Sequence, residues 1–138
     1  MPDSDLAPPD ETLDETLGVE GFERDEGNDV ARARLRVTDR IKQPFGIVHG
    51  GAYAALAESL ASRATYEAVR PERIAMGQSN ECTFLRPLRE GTVHAVGRAR
   101  HRGRTSWVWD VEMTDDDGRL CALSRLIIAV LPLDRGDG

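Results

Sequence analysis

No apolar stretch of this 138-residue chain approaches the roughly 20 residues that a membrane-crossing helix needs. The opening residues, MPDSDLAPPD, are acidic and Pro-rich. They have no basic start and no apolar run, so no signal peptide is expected. Cysteine is scarce: Cys82 and Cys121 alone, each inside an apolar strand-like run. That speaks against a disulfide framework and for two buried free thiols in a cytoplasmic protein. No Cys/His spacing suits a metal site. Aromatic residues make up only 5% of the chain, with no aromatic-rich strand and no recognition-helix motif, so nucleic acid is not an expected partner. Lysine is nearly absent, one Lys against seventeen Arg.

What is present has an ordinary globular balance, 40% hydrophobic and 30% charged, enough for one domain around one core. The net charge of −6 is unevenly spread. Residues 1–29 carry eleven acids and one Arg, while the remainder carries thirteen acids and seventeen basic residues. The N-terminal 29 residues therefore read as an acidic segment, with its first ten residues disordered and a short surface helix over Asp10–Leu17 ended by Gly18. Residues 30–138 read as a single mildly basic domain. Within it, GRARHRGR places Arg98, Arg100, Arg102 and Arg104 at alternate positions beside His101. On a regular strand these four share one face. That face is either simply solvated or a phosphate site, for which Arg forks are well suited.

The chain reads as one long helix and a set of strands. VARARLRV, residues 30–37, alternates and predicts a strand. A loop with Pro44 and Gly46 follows. A helix is predicted from Gly50 to about Val69, stopped by Pro71. Four strand-like runs come next: residues 74–85, 92–103, 106–115 and 119–131. The turn signals RPLREG and DDDG lie between them. One early helix followed by consecutive strands with short connections predicts an α+β fold with an antiparallel sheet.

The stretch QPFGIVHGGAYAALAESLAS, residues 43–62, carries the chemistry. AYAALA is apolar on every side, the mark of a buried helix. Tyr53, Leu56, Leu60 and Ala64 form a core stripe. Helical steps from Glu58 collect Gly51, Ala54, Ala55, Ser62 and Thr65 on the other face, a set of small residues and hydroxyls around one carboxylate. Such a carboxylate is either a structural partner for an Arg or a functional group in a cleft. Gly50 and Gly51 are poor helix residues at a helix start. They leave N–H groups free at the positive end of the helix dipole, where an oxyanion is stabilised. His49 and Gln43 could orient a carbonyl or a water beside them.

At these residues the chain resembles the hotdog-fold acyl-CoA thioesterases. The branch it looks most like hydrolyses 4-hydroxybenzoyl-CoA or 1,4-dihydroxy-2-naphthoyl-CoA, and the phenylacetate-pathway thioesterases are similar. That branch has a Gln six residues before a His-Gly-Gly and a Glu nine residues after the His, as Gln43, His49-Gly50-Gly51 and Glu58 stand here. GRLCALSRL and LRPLREG are also similar to this family. The resemblance implies an antiparallel sheet wrapped around the central helix, a homodimer with shared sites or a tetramer of such dimers, and no cofactor beyond the CoA of the substrate. It implies Glu58 as general base or nucleophile, the Gly50 N–H polarising the thioester oxygen, and His49 orienting the thioester. Gln43 and Ser62 would hold water or the acyl ring. Gly51 and Phe84 would contact substrate, and Phe84 stands where one relative has a polar ring. Arg86 and the turn His101, Arg102, Gly103 and Arg104 would meet the CoA nucleotide. A second possibility is a non-catalytic hotdog module that binds acyl-CoA or an acyl carrier protein.

Overall fold

A computed structural model describes residue 9, residues 11–25, residue 27 and residues 29–133. The expected helix start at Asp10 and the expected disorder of residues 1–8 lie outside these residues. In chain order the elements are α1 (Leu13–Leu17), β1 (Val19–Asp25), β2 (Val30–Arg36), α2 (Gly50–Val69), β3 (Arg73–Phe84), β4 (Thr92–Arg102), β5 (Ser106–Thr114) and β6 (Leu120–Pro132). The six strands form one antiparallel sheet in the order β1-β2-β4-β5-β6-β3. The sheet wraps around α2, the α+β antiparallel arrangement that the sequence pattern predicts and the hotdog architecture that the resemblance implies.

The strands alternate because one face is buried against α2 and the other is not. On β2, Ala31, Ala33 and Leu35 are buried, while Arg32, Arg34 and Arg36 point out. Trp107, Trp109, Val111 and Met113 do the same on β5. From the helix, Tyr53, Leu56, Leu60 and Ala64 meet this surface. Burying each leucine stabilises the fold by roughly 1.5–3 kcal/mol. Thr65, expected on the Glu58 side, is instead fully buried. Its hydroxyl accepts from the Trp109 indole at 2.9 Å and donates to the Ala61 carbonyl at 2.8 Å, so it satisfies the one polar atom of the largest core side chain.

Both ends of α2 agree with the sequence, whereas α1 begins at Leu13, later than the expected Asp10, because Thr12 is its cap. His49 caps α2 at its start, and Arg70 turns extended ahead of Pro71. The short helix α1 runs from a Thr12 cap to Gly18, whose φ of 88° closes it in the left-handed conformation. The sequence reading passes over β1. VEGFERD carries three acids and a glycine, yet it pairs with β2 through Glu20–Arg34 and Asp25–Arg32 ion pairs of 3.1 and 2.9 Å. The sheet therefore begins before Val30.

Of four register shifts among the described residues of the sheet, two move candidate site residues. One lies between Ala99 and His101. Ahead of it Arg98 stands opposite Asp110 on the outer face, and beyond it Arg102 stands opposite the buried Trp107. The arginines of GRARHRGR thus do not share a face, because the extra residue Arg100 shifts the alternation. The second bulge lies between Gly77 and Ser79 on β3. Before it Ala75 and Gly77 face the helix side, opposite buried Val130 and Ile128. After it Asn80, Cys82 and Phe84 take that side, opposite buried Leu126, Ser124 and Ala122.

Candidate active site

The loop before α2 is folded tightly by its own backbone. The Gln43 N–H donates to the Ile47 carbonyl at 2.9 Å, and the Gly46 N–H donates to the Gln43 carbonyl at 2.8 Å. The His49 N–H donates to Ile41, which hands the chain directly into the helix. His49 Nδ1 accepts the Gly51 N–H at 2.8 Å. In the neutral ring the remaining proton then sits on Nε2, which is left to donate. No acceptor takes the Gly50 N–H among the described residues. Of the two glycine N–H groups at the positive end of a 20-residue helix, only that of Gly50 is available to a carbonyl oxygen.

Gly50 has no room for a side chain. A Cβ there would lie 2.8 Å from the Phe84 ring. Phe84 itself is tilted against Tyr53, with ring centroids 6.1 Å apart. Gln43, Gly50, Tyr53, Phe84 and Arg86 line one recess of about 370 Å³. Its walls are mostly apolar, the Tyr53 and Phe84 rings together with Ile47, Val48, Leu85 and Pro87, and it also has one amide, one guanidinium and one free N–H. Burial pushes up the thiols of Cys82 and Cys121, which disfavours the nucleophilic thiolate. Burial likewise pushes up the Tyr53 hydroxyl.

Glu58 lies in a different recess of about 640 Å³, with Ser62, Ser59, Tyr66, Ala75 and Asn80. The sequence reading placed it inside a buried helix. The structure differs: Glu58 is exposed and Ala54 and Ala55 are only half-buried, because the sheet covers a single side of α2. One wall of the recess is backbone. A Cβ on Gly77 would lie 2.8 Å from both Cδ and Oε2 of Glu58, so the carboxylate rests against the β3 main chain. Another wall comes from α1, where Asp14 accepts from the Ser59 hydroxyl at 2.5 Å and Leu13 projects into the opening. His49 and Gly51 belong to a third, smaller recess of about 270 Å³, which also contains Leu13 and Ala55.

The structure thus brings Gln43, Gly50, Phe84 and Arg86 together, and Glu58 with Ser62, but not the two groups with each other. His101, Arg102, Gly103 and Arg104 line none of these three recesses. Arg102 is paired with Asp29 at 2.7 Å and stacked 4.5 Å over the Trp107 ring. The Arg104 carbonyl accepts from Arg73 at 2.5 Å, and Arg104 itself is exposed. Gly77 and Asn80 were not legible as site residues, since only the β3 bulge puts both on the helix side.

Comparison with known proteins decides the family. Residues 45–122 match the family model of the Thioesterase superfamily. The chain belongs to this superfamily. It is 42% identical over 105 residues to the 1,4-dihydroxy-2-naphthoyl-CoA hydrolase of Escherichia coli, covering 76% of this chain and 77% of that protein. It is 40% identical over 120 residues to the proofreading thioesterase EntH of Cronobacter turicensis, covering 87% and 86%. Among solved structures, a thioesterase of Haemophilus influenzae superposes with a TM-score of 0.85 at 31% identity, covering 94% of this chain and 89% of that one. This thioesterase-superfamily chain is accordingly a thioester hydrolase. No helix among its described residues is long and apolar enough to cross a membrane.

Proposed function

We propose that this thioesterase hydrolyses an aromatic or medium-sized acyl-CoA to the free acid and CoA, at sites shared between two copies of the chain. The observation that carries the reading is the separation of Gly50 from Glu58. They are eight residues apart on one helix, so roughly 12 Å along its axis, and they line different recesses. A single chain therefore offers an oxyanion donor without a base, and a base without an oxyanion donor. A second copy completes both.

The sheet edge supports that arrangement. β3 is a twelve-residue edge strand with most of its residues exposed. Long open edges are normally covered. Antiparallel pairing of two β3 edges extends the sheet and sets two α2 helices side by side over their uncovered faces. Glu58 of one copy then meets the Gly50 N–H and His49 of the other. The N–H polarises the thioester carbonyl. Glu58 takes a proton from water or attacks the carbonyl itself, and the sulfur leaves as the thiol. The chemistry uses no cofactor beyond the CoA of the substrate. The two free thiols suit a reducing, cytoplasmic setting. The apolar recess beside Gly50, with the Tyr53 and Phe84 rings in its lining, suits an aromatic or medium-sized acyl group.

Thiol release from a panel of benzoyl-, naphthoyl-, phenylacetyl- and medium-chain CoA esters tests this. At least one ester should turn over with Glu58-dependent rates. Tight binding of every ester without thiol release would identify a binding module instead.

The nucleotide contact has its own test. If Arg102 and Arg104 hold CoA phosphates, changing both to Ala raises KM far more than it lowers kcat, because such contacts are equal in ground and transition states. The penalty should shrink with an acyl-pantetheine that lacks the nucleotide. An equal penalty on both substrates would assign Arg102 to its Asp29 and Trp107 contacts alone.

A further inference from the structure

Asn80 brings to the Glu58 recess a buried amide whose hydrogen bonding is half finished. Its amide nitrogen donates to the Ala54 carbonyl at 3.0 Å. A carbonyl cannot donate, so this bond fixes which end of the amide is which. Its Oδ1 is buried and has no donor among the described residues. A buried acceptor without a partner costs roughly 1–3 kcal/mol, so such an atom marks a place for a water or a ligand. The neighbours say which. Asn80 and Glu58 line the same recess, and the Glu58 carboxylate is set against Gly77, three residues earlier on the same strand. The bulge between Gly77 and Ser79 is what turns both Gly77 and Asn80 toward the helix. Ala54, held by Asn80, is one helical turn before Glu58, so the amide also ties down the turn that carries the carboxylate.

We propose that Asn80 Oδ1 holds the attacking water of the hydrolysis, with Glu58 as its base. This rests on the thioester-hydrolase site proposed above, and it selects water attack over direct attack by the carboxylate. The water donates one O–H to Glu58 and the other to Asn80 Oδ1, which turns a lone pair toward the thioester carbon. Glu58 removes the first proton as the C–O bond forms. The C–S bond then breaks, and the sulfur leaves with the proton that Glu58 returns. Atoms and charge balance with water as the sole co-reactant.

The test compares wild type, Asn80→Leu, Asn80→Asp and Glu58→Ala on the best CoA ester, each shown to be folded by its melting temperature. A second arm adds hydroxylamine, which attacks the same carbonyl without needing a held water, and measures hydroxamate against free acid after subtraction of the uncatalysed reaction. Asn80→Leu should lose about 30–100-fold in kcat with KM within about two-fold, the scale expected for one positioned hydrogen bond made to the reacting water. Its hydroxamate-to-acid ratio should rise at least several-fold. Asn80→Asp keeps an oxygen toward the recess and loses the donor to Ala54, so it should retain clearly more turnover than Asn80→Leu. A purely structural role for Asn80 predicts Asp as damaging as Leu and an unchanged product ratio, and that result overturns the proposal. Near-wild-type kcat in Asn80→Leu, with Glu58→Ala inactive, overturns it while leaving the thioesterase site standing. If Glu58→Ala matches wild type, both fall.

Discussion

Glu58→Ala is expected to lose about 10³-fold or more in turnover while still binding substrate analogues, because a base or nucleophile acts in the transition state and not in ground-state binding. The fold should survive the change. Glu58 is exposed in the single chain, and its carboxylate touches the Gly77 backbone rather than the core. Surface positions of this kind change stability by roughly 0.5 kcal/mol or less. Loss of rate can therefore be separated from loss of structure by melting the variant beside wild type. Near-normal turnover in a folded Glu58→Ala protein would remove this carboxylate from the mechanism. Turnover lost together with analogue binding would instead make Glu58 a binding group.

The elements that were legible in the sequence are those whose pattern follows from a single cause. The helix over residues 50–69 is bracketed by a His-Gly-Gly start and by Pro71, and the structure has Gly50–Val69. Strands β2 and β5 alternate cleanly because each has one wet face. β1 was missed because its residues are chosen for the edge. Its acids pair with the arginines of β2, so composition hides a strand that charge pairing holds. The bulges in β3 and β4 were missed for another reason. One extra residue changes parity without any mark in composition, and only the pairing register exposes it. That is why the four arginines of GRARHRGR were read as one face.

The candidate site could be drawn from residue types and spacing, since Gly50 and Glu58 lie on one continuous helix that His49 caps, and helix geometry is known in advance. Asn80 and Gly77 were not, because their neighbourhood with Glu58 is made across the fold by β3. The exposure of Glu58 was misjudged from the apolar run around it. That run is covered by the sheet on one side only, and a sequence does not say whether its other side meets the same chain or another copy.

If sites are shared between two copies, as proposed, the activity of mixed dimers can be counted. His49 and Glu58 are nine residues apart, roughly 13 Å along the helix axis and two and a half turns around it. They line different recesses of one chain. If both act on one carbonyl, a two-fold axis must bring His49 of one copy to Glu58 of the other, giving two composite sites per dimer. His49→Ala and Glu58→Ala homodimers should then each be nearly inactive. His49→Ala also loses the side-chain cap on Gly51, at a cost of about 1 kcal/mol, so its folding needs checking first. In a mixed dimer one site receives both wild-type residues and the other receives neither. Random re-pairing of equal amounts makes half the dimers mixed, so activity should return to about a quarter of wild type. The two variants must be co-expressed, or unfolded and refolded together, so that chains exchange. Differently tagged chains recovered by two successive affinity steps give the mixed species alone, and its activity should rise to about half of wild type. Verified mixed dimers no more active than the two parents would show that each chain carries its own complete site.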